Sequence, residues 1–344
     1  MATIRDIAEL SHASIATVSK VLNNKGSVSE RTRAIVLDAA KQLNYCPNLN
    51  ARHLKTGKSH TIGIITEDLT VFNAPEIVDG IAEACECANY HYILGNLRLF
   101  KRFGHGPVDA KEAACRIHST VDDMLSKQVD GIIYIGCHSH IVARLSEHKN
   151  TNFVCAYCVS SDPAIPSFIY DEEKAAYDLT HMLLSRGDTR IGMITGPADS
   201  THTTNRNRGH MKALFDNSIP YDPSITITGD WERDSGFQHA KALIDAGVTA
   251  IFAHNDLMAV GVLDYCNAHK IAVGKDLRLI GFDNRDISSV ARPAISTVAL
   301  PLYDIGKAAA NALLDILSGN SAPGPIIKLD CSIIERESSR IPED

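Results

Sequence analysis

Apolar positions recur at helical spacing in three short blocks before residue 46. Thr3 is placed to cap a helix over Ile4 to Leu10, with Ile4, Ile7, Ala8 and Leu10 on its inner face. His12-Ala13-Ser14 then forms a three-residue turn into a second block, Ser14 to Asn23. In that block Ser14 is a candidate N-cap, and Val18, Val21 and Leu22 make a narrow apolar stripe at i, i+3 and i+4. Ile15, Ala16, Thr17, Ser19, Lys20 and Asn23 are left pointing outward. After the turn Asn24-Lys25-Gly26, Ser29 caps a third helix to about Asn44, its inner stripe Ile35, Ala39 and Leu43 with Val36 and Ala40 beside them. The residue before a proline is pushed out of the α region, so Tyr45-Cys46-Pro47 stops that helix. Two short helices across a three-residue turn have helix-turn-helix spacing, which presents the second helix to the DNA major groove. An ordinary αα-hairpin in a helical core has the same pattern, and these two helices alone do not separate the readings.

From Thr61 the pattern alternates. Thr61 to Thr66, Tyr92 to Leu97, Gly131 to Gly136 and Phe153 to Cys158 read as strands. Between them lie helical stretches at Glu76 to Ala88, Ala110 to Ser126 and Ile141 to Lys149. A second series of strands comes next: Phe168 to Tyr170, Arg190 to Thr195, Ile225 to Thr228, Ala250 to Ala253 and Leu277 to Phe282. Its helices fall near 175–185, 205–215, 236–246 and 257–269. Strand, helix, strand in repeated order means right-handed βαβ units and parallel sheets covered on both faces. The fold class predicted is α/β, a three-helix head followed by a bilobal body of two doubly wound sheets.

Charge sharpens this division. The net charge of −7 argues superficially against nucleic acid, but it is unevenly spread. Residues 1–60 hold nine Lys/Arg and four Asp/Glu, a net +5, and the remainder carries −12. A basic head on an acidic body is what a DNA-binding module fused to a soluble domain shows, since phosphate neutralisation supplies most non-specific affinity. Nine scattered cysteines in a chain that opens on a helix-forming stretch, with no signal peptide, lead us to expect a reducing cytoplasm. Cys85-x-Cys87 lies on a helix, where i and i+2 face apart, and Cys155-x-x-Cys158 lacks a second ligand pair. Neither is a metal site on this reading, and no cofactor is expected. No apolar run reaches the roughly 18 residues of a membrane span.

Asn48-Leu49-Asn50-Ala51-Arg52-His53-Leu54-Lys55 has the length of two helical turns, too short to be helical in water unless something holds it. Thr3-Ile4-Arg5-Asp6-Ile7-Ala8, Ala16-Thr17-Val18-Ser19-Lys20-Val21-Leu22-Asn23 and Tyr45-x-Pro47-Asn48-x-x-Ala51-Arg52-x-Leu54 together resemble the head and hinge of the LacI/GalR family of bacterial transcriptional regulators. The resemblance runs without a gap through the first 60 residues and more loosely over the rest. It implies a helix-turn-helix domain at 1–46, a hinge helix and linker at 47–60, and a periplasmic-binding-protein-like effector and dimerisation domain at 61–344. Lobe 1 would take about 61–170 and 301–328, and lobe 2 about 171–300 and 329–344. Chain crossings fall near Asp171, Leu300 and Lys328, so the last helix, Tyr303 to Ser318, returns to the first lobe. The implied DNA-facing set is Thr3, Ser14, Ile15, Ala16, Thr17, Ser19, Lys20, Asn23, Ala51, Leu54 and Lys55, with Leu54 wedged into the minor groove at the operator centre.

Ligands of open parallel sheets sit beyond the carboxyl ends of the strands. Family motifs place four candidate contacts there: Arg206 in Thr204-Asn205-Arg206-x-x-Gly209, Trp231 after Gly229-Asp230, Asn255 opening Asn255-Asp256-x-Met258-Ala259, and Asp283 ending Gly281-Phe282-Asp283. Phe72 and Asn73 match the family's cleft-facing loop. Arg206 and Asp283 could bracket vicinal hydroxyls, Asn255 donate and accept, and the indole cover a sugar ring. Taken singly, Trp231 also reads as a core aromatic and Asp283 as a loop cap. Tyr157 and Leu300 stand where relatives carry polar residues, so no relative's ligand can be copied. A purine ligand is disfavoured, because purine-binding relatives differ at the positions of Asn73, Ser200 and His202. Residues 98–108 form a connection about a dozen residues longer than usual, with Arg98, Lys101 and Arg102; it reads as a surface loop or as a lid for an acidic or phosphorylated sugar.

These expectations add up to a repressor that binds a pseudo-palindromic operator as a homodimer and is switched by a sugar. No heptads come after Arg336, so a dimer is expected and not a tetramer. The alternatives within the family are a global regulator answering to a phosphoprotein partner and a purine-responsive member. An enzyme is not expected: the chain has no P-loop, no G-x-S-x-G elbow and no dinucleotide fingerprint after its first strand. His138 and His140 read as loop residues without a carboxylate partner.

Overall fold

A computed structural model describes residues 2–22, 26–45, 58–103, 110–148 and 150–340. Within it the chain divides into two compact units, Met1–Ser59 and His60–Asp344.

The first unit carries three helices, α1 (Ile4–Leu10), α2 (Ile15–Leu22) and α3 (Glu30–Gln42). Thr3 caps α1 reciprocally: its backbone N–H donates to Asp6 at 2.7 Å, and the Asp6 N–H donates back to the Thr3 hydroxyl at 3.4 Å. The Ser14 hydroxyl accepts the Thr17 N–H at 3.1 Å and so starts α2, as the sequence predicts. Ile7, Val18, Val21, Val36 and Ala39 form the small core. Two predicted core positions are displaced. Ile35 is 46 % exposed, because the buried stripe of α3 runs through Val36 and Ala39 and leaves Ile35 a step round the helix. Leu10 is likewise 46 % exposed; Ser11 takes the buried position below Ile7 and donates to its carbonyl at 2.6 Å.

The second unit is built on two parallel sheets. The larger has the order β13 (Ile326–Leu329), β7 (Ser167–Tyr170), β5 (Phe153–Ala156), β3 (Gly131–Ile135), β1 (Thr61–Thr66), β2 (His91–Asn96). The smaller has the order β11 (Arg278–Ile280), β10 (Ala250–Ala253), β8 (Ile191–Thr195), β9 (Thr226–Thr228). Both carry near-continuous buried runs, as sheets covered on two faces require. The chain passes from the larger sheet to the smaller one at Asp171, between β7 and the helix Glu172–Ser185. It leaves β12 (Thr297–Ala299) through Leu300 and Pro301 into the helix Leu302–Leu317, and crosses again between Leu329 and β14 (Ser332–Ile334), which pairs antiparallel with β12.

Two sequence expectations are corrected here. Phe168 to Tyr170, grouped with the second series of strands, belongs to the larger sheet, where Ala156 pairs with Phe168. Residues 141–148 do not form the helix predicted over 141–149. Ile141–Val142 is a short strand, β4, paired with β6 (Val159–Ser160), and Arg144 at φ +70° confines the helical geometry after it to a single 3₁₀ turn, Leu145–Glu147. The long connection after β2 folds back at its start into the helix Leu99–Phe103, with Leu99 buried and the Lys101 N–H donating to Asp68 at 2.9 Å. Residues 104–109 of that connection lie outside the described residues, as do Asn23, Ala51, Leu54, Lys55 and with them the predicted hinge helix.

Helix Leu302–Leu317 packs on helix Asn73–Cys87 at the face of the larger sheet. The two backbones touch at glycines. A Cβ on Gly80 would lie 2.0 Å from the Tyr303 carbonyl, and one on Gly306 would lie 2.0 Å from the Ile77 carbonyl. Gly to Ala in an open helix stabilises by about 1 kcal/mol. Gly306→Ala is expected to do the opposite and destabilise by roughly 1–3 kcal/mol through overpacking, read as a lower urea midpoint. A neutral or stabilising result would refute the close packing.

Candidate functional site

Tyr170 at the end of β7 and His254 at the end of β10, one strand from each sheet, come together around a group of buried charges. Arg206, 2 % exposed, stands on the helix Thr201–Asp216 at its centre. Its Nε donates to Glu172 Oε1 at 2.8 Å, one Nη donates to the His254 carbonyl, and the other donates to the Tyr170 hydroxyl at 3.2 Å and lies 3.6 Å from Asp283 Oδ1. The Phe282 ring centroid is 3.8 Å from its guanidinium carbon. Burial alone would raise the Glu172 carboxyl; charge interactions with His202 and Arg206 and hydrogen bonds from His202 and Tyr170 outweigh it and hold Glu172 far below the ordinary carboxylate range.

Asp283 is different. Burial pushes it up to about 6, against the pull of Arg206. Asp256 is pushed up to about 7 by burial and by the Asp283 charge, although Thr297 and the Arg285 N–H both donate to it. Gly281 allows this crowding, since a Cβ there would meet Asp256 Oδ1 at 2.2 Å.

The other predicted contacts divide by what they already hold. The Asn255 carboxamide accepts from the Met258 N–H at 2.8 Å and donates to the Trp231 carbonyl at 2.8 Å, so this residue caps its helix and pins Trp231. The Trp231 ring lies on Gly196, where a Cβ would come within 1.9 Å of it. Asn73 is fully buried: its Nδ2 donates to the Gly136 carbonyl at 3.0 Å, and its Oδ1 has no hydrogen-bond partner among the described residues. Phe72 is half-buried, with the Arg285 guanidinium carbon 5.4 Å from its ring centroid. A cavity of about 170 Å³ opens to one side, lined by Ser139, Tyr157, Tyr170, Glu172, Asn205 and Lys328 among others. Trp231, Asn255 and Asp283 do not line it, so the cavity adjoins the predicted set without coinciding with it.

Several groups here were not predicted. Tyr170, Glu172 and His202 complete the Arg206 network, and the sequence signal was available only in the side-by-side arrangement Tyr170-Asp171-Glu172 at a strand end. Tyr157 is buried at φ +64°, its ring 5.6 Å from Tyr170. His140 has a carboxylate partner after all: Glu67, at the end of β1, lies 3.0 Å from its Nε2 and also accepts from the Tyr134 hydroxyl and the Cys137 N–H, each at 2.8 Å. Burial opposes the charged imidazole, but the Glu67 carboxylate prevails and raises His140 to about 8. The two residues are 73 apart in sequence and meet only because β1 and β3 are neighbours.

On the first unit, the outward residues of α2 are placed as predicted. Ile15 is 52 % exposed, Ala16 and Lys20 are exposed, and Thr17 and Ser19 are partly so. Ser14 and Thr3 are exposed caps.

The raised Asp256 predicts a pH dependence. Its folded value lies above the ordinary 3.8, so its contribution to stability is complete below about pH 4 and is lost as pH rises through about 7. Stability should fall across that window, and Asp256→Asn should flatten the fall. Equal pH slopes for both proteins in urea titrations would refute the assignment.

Comparison with known proteins fits this arrangement. Residues 3–48 match the model of bacterial regulatory proteins of the lacI family, and residues 180–339 match a periplasmic binding protein-like domain. The HTH-type transcriptional repressor CytR of Escherichia coli (strain K12) is 32 % identical over 342 residues, covering 98 % of this chain and 96 % of that one. Catabolite control protein A of Priestia megaterium is 31 % identical over 346 residues, covering 98 % and 99 %. Among solved structures, the lac repressor dimer bound to operator and the anti-inducer ONPF superposes with a TM-score of 0.77 at 25 % identity, covering 98 % of this chain and 99 % of that one. The chain therefore belongs to the lacI family of bacterial regulatory proteins, and is a DNA-binding transcriptional regulator and not an enzyme.

Proposed function

We propose that the protein is a repressor that binds a pseudo-palindromic operator as a homodimer and is switched by a sugar or sugar derivative in the interlobe cleft. The observation that carries the effector half of this reading is the meeting of Arg206, Asp283 and Trp231 from three separate segments, with an Arg206 Nη 3.6 Å from Asp283 Oδ1 and the guanidinium carbon 5.7 Å from the Trp231 ring centroid. Such a site offers polar groups of both signs beside an aromatic face, the combination that polyhydroxylated rings need. We take 1–46 as the DNA-binding domain, 47–60 as hinge and linker, and the remainder as the effector and dimerisation domain. Phe237, Ile287 and Val290 are exposed apolar side chains on helices of the second lobe, surface that dimerisation would cover. Acting on chromosomal operators, such a protein works in the cytoplasm.

In the head, Ile15 and Ala16 have no side-chain hydrogen-bonding group and suit thymine methyls, while Lys20 suits guanine O6 and N7. Thr17, Ser19, Ser14, Thr3 and Asn23 are available for backbone or base contacts, and Ala51, Leu54 and Lys55 for the operator centre. The switch is a linkage: an effector acts only through its differential affinity for two arrangements of the lobes, and near-complete switching needs roughly a 10⁴-fold difference.

Lys20→Ala is expected to cost about 1–3 kcal/mol of operator affinity and to relax one position in each half-site. Operator selection giving the same consensus for both proteins would remove Lys20 from the reading set. For the effector, a gel shift on operator DNA titrated with a panel of sugars should show release or enhancement by at least one. No response to any sugar would favour the alternative within the family, control by a partner protein.

A further inference from the structure

His118 stands on the helix Ala110–Ser126, and His148 directly follows the 3₁₀ turn Leu145–Glu147. Their rings meet: His118 Nδ1 lies 3.0 Å from His148 Nε2, and the ring centroids are 5.0 Å apart. The two outer nitrogens face carboxylates, His118 Nε2 at 3.1 Å from Glu147 Oε2 and His148 Nδ1 at 3.9 Å from Asp122 Oδ1. Both rings are held in place, with side chains 31 % and 14 % exposed, and His148 also lies against Phe153 at 6.3 Å between ring centroids. Neither the effector reading nor the DNA-binding reading uses this group.

For neutral rings the hydrogens do not fit all four nitrogens. A carboxylate only accepts, so Glu147 fixes the His118 hydrogen on Nε2 and leaves a lone pair on Nδ1. His148 must then give that lone pair its own hydrogen from Nε2. Its Nδ1 is left as a second lone pair turned toward the Asp122 carboxylate, acceptor against acceptor. A cation between the two inner nitrogens removes the conflict. Both inner lone pairs bind it, the His148 hydrogen moves to Nδ1, and each ring presents an N–H to a carboxylate with no proton gained or lost. Metal-bound imidazoles are ordinarily held in this way, by an outer N–H on a carboxylate.

The distances agree. Nitrogens each about 2.0–2.1 Å from one metal ion stand about 2.9–3.4 Å apart as the angle between them opens from a right angle to the tetrahedral one. The observed 3.0 Å falls in that range. Arg144 is the cation nearest these carboxylates, its Nε 3.7 Å from the other Glu147 oxygen. Among the described residues no group of three His, Cys, Asp or Glu is placed to hold a metal ion, so water would fill the remaining positions and the ion would exchange readily.

We propose that His118 and His148 form a two-histidine site for a divalent transition-metal ion that favours imidazole, such as nickel or zinc, and that the ion ties the helix Ala110–Ser126 to the turn Leu145–Glu147. The site stands or falls independently of the sugar and operator readings. Cys87 and Cys115 are exposed thiols that would compete for zinc, and Cys115 is one turn before His118 on the same helix. Nickel is therefore the probe and Cys115→Ser a control. Calorimetric titration of nickel chloride into the full-length protein, free of any affinity tag, should show one ion bound per chain. His118→Ala and His148→Ala should each abolish that binding, and Cys115→Ser should leave it unchanged. No binding by the unmodified protein, unchanged binding in both histidine variants, or a loss in Cys115→Ser as large as theirs would overturn the site. Circular dichroism of each variant separates loss of the site from loss of the fold.

Discussion

The ion pair between Arg206 and Glu172 is the constraint on which the rest of the body depends. Two charges so deeply buried cost several kcal/mol each in lost hydration, and the cost is offset only if their remaining hydrogen-bonding capacity is met. Here it is met by the Tyr170 hydroxyl at the end of β7 and by the His254 carbonyl at the end of β10, one strand from each sheet. Glu172 comes one residue after the chain crosses at Asp171, so the pair is also anchored where the lobes are joined. Strand ends, helix starts and a chain crossing thus share one electrostatic requirement. Removing either partner would leave an uncompensated buried charge, which costs about 3–5 kcal/mol.

Around that pair the lobes are stiff. The helices Asn73–Cys87 and Leu302–Leu317 meet at Gly80 and Gly306, and Gly236 and Gly261 do the same for the helices Arg233–Asp245 and Asp256–Ala268. Backbones in direct contact leave no side-chain layer to rearrange, so each lobe is expected to move as a body. Change is confined to the crossings and to contacts such as Ser139 with His202 and Arg285 with Phe72 that run from lobe to lobe.

Much of this was legible in the sequence because it is written in local pattern. Thr3 and Ser14 announce their caps, Val18 and Val21 their core, and the alternating runs from Thr61 their sheets. Ile35 and Leu10 were misplaced because in a head this small a rotation of one residue moves a side chain from core to solvent, and helical spacing alone does not fix that rotation. The stretch 141–149 looked helical by composition, but Arg144 takes a left-handed conformation that no residue preference reveals. The candidate site was legible where its residues lie in short motifs, as with Arg206, Trp231, Asn255 and Asp283. Glu172, His202 and the Glu67–His140 pair escaped because their meaning is a contact between segments far apart in the chain. The motif also concealed a division of labour, since both ends of the Asn255 carboxamide have partners within the protein.

Three residues at this site, Tyr157, Trp231 and Asp283, hold backbone conformations with φ of +64°, +74° and +102°. For side chains of this kind such geometry costs of order 1 kcal/mol or more at each position, a cost that glycine would not bear. The same fold could therefore be made more robust by simplifying these places, and the residues best tolerated by the backbone are those that would leave the cleft with nothing to recognise. Selection for a sturdier protein and selection for a responsive one pull in opposite directions at these positions, which marks them as sites to leave untouched when the scaffold is stabilised or redesigned for a new effector.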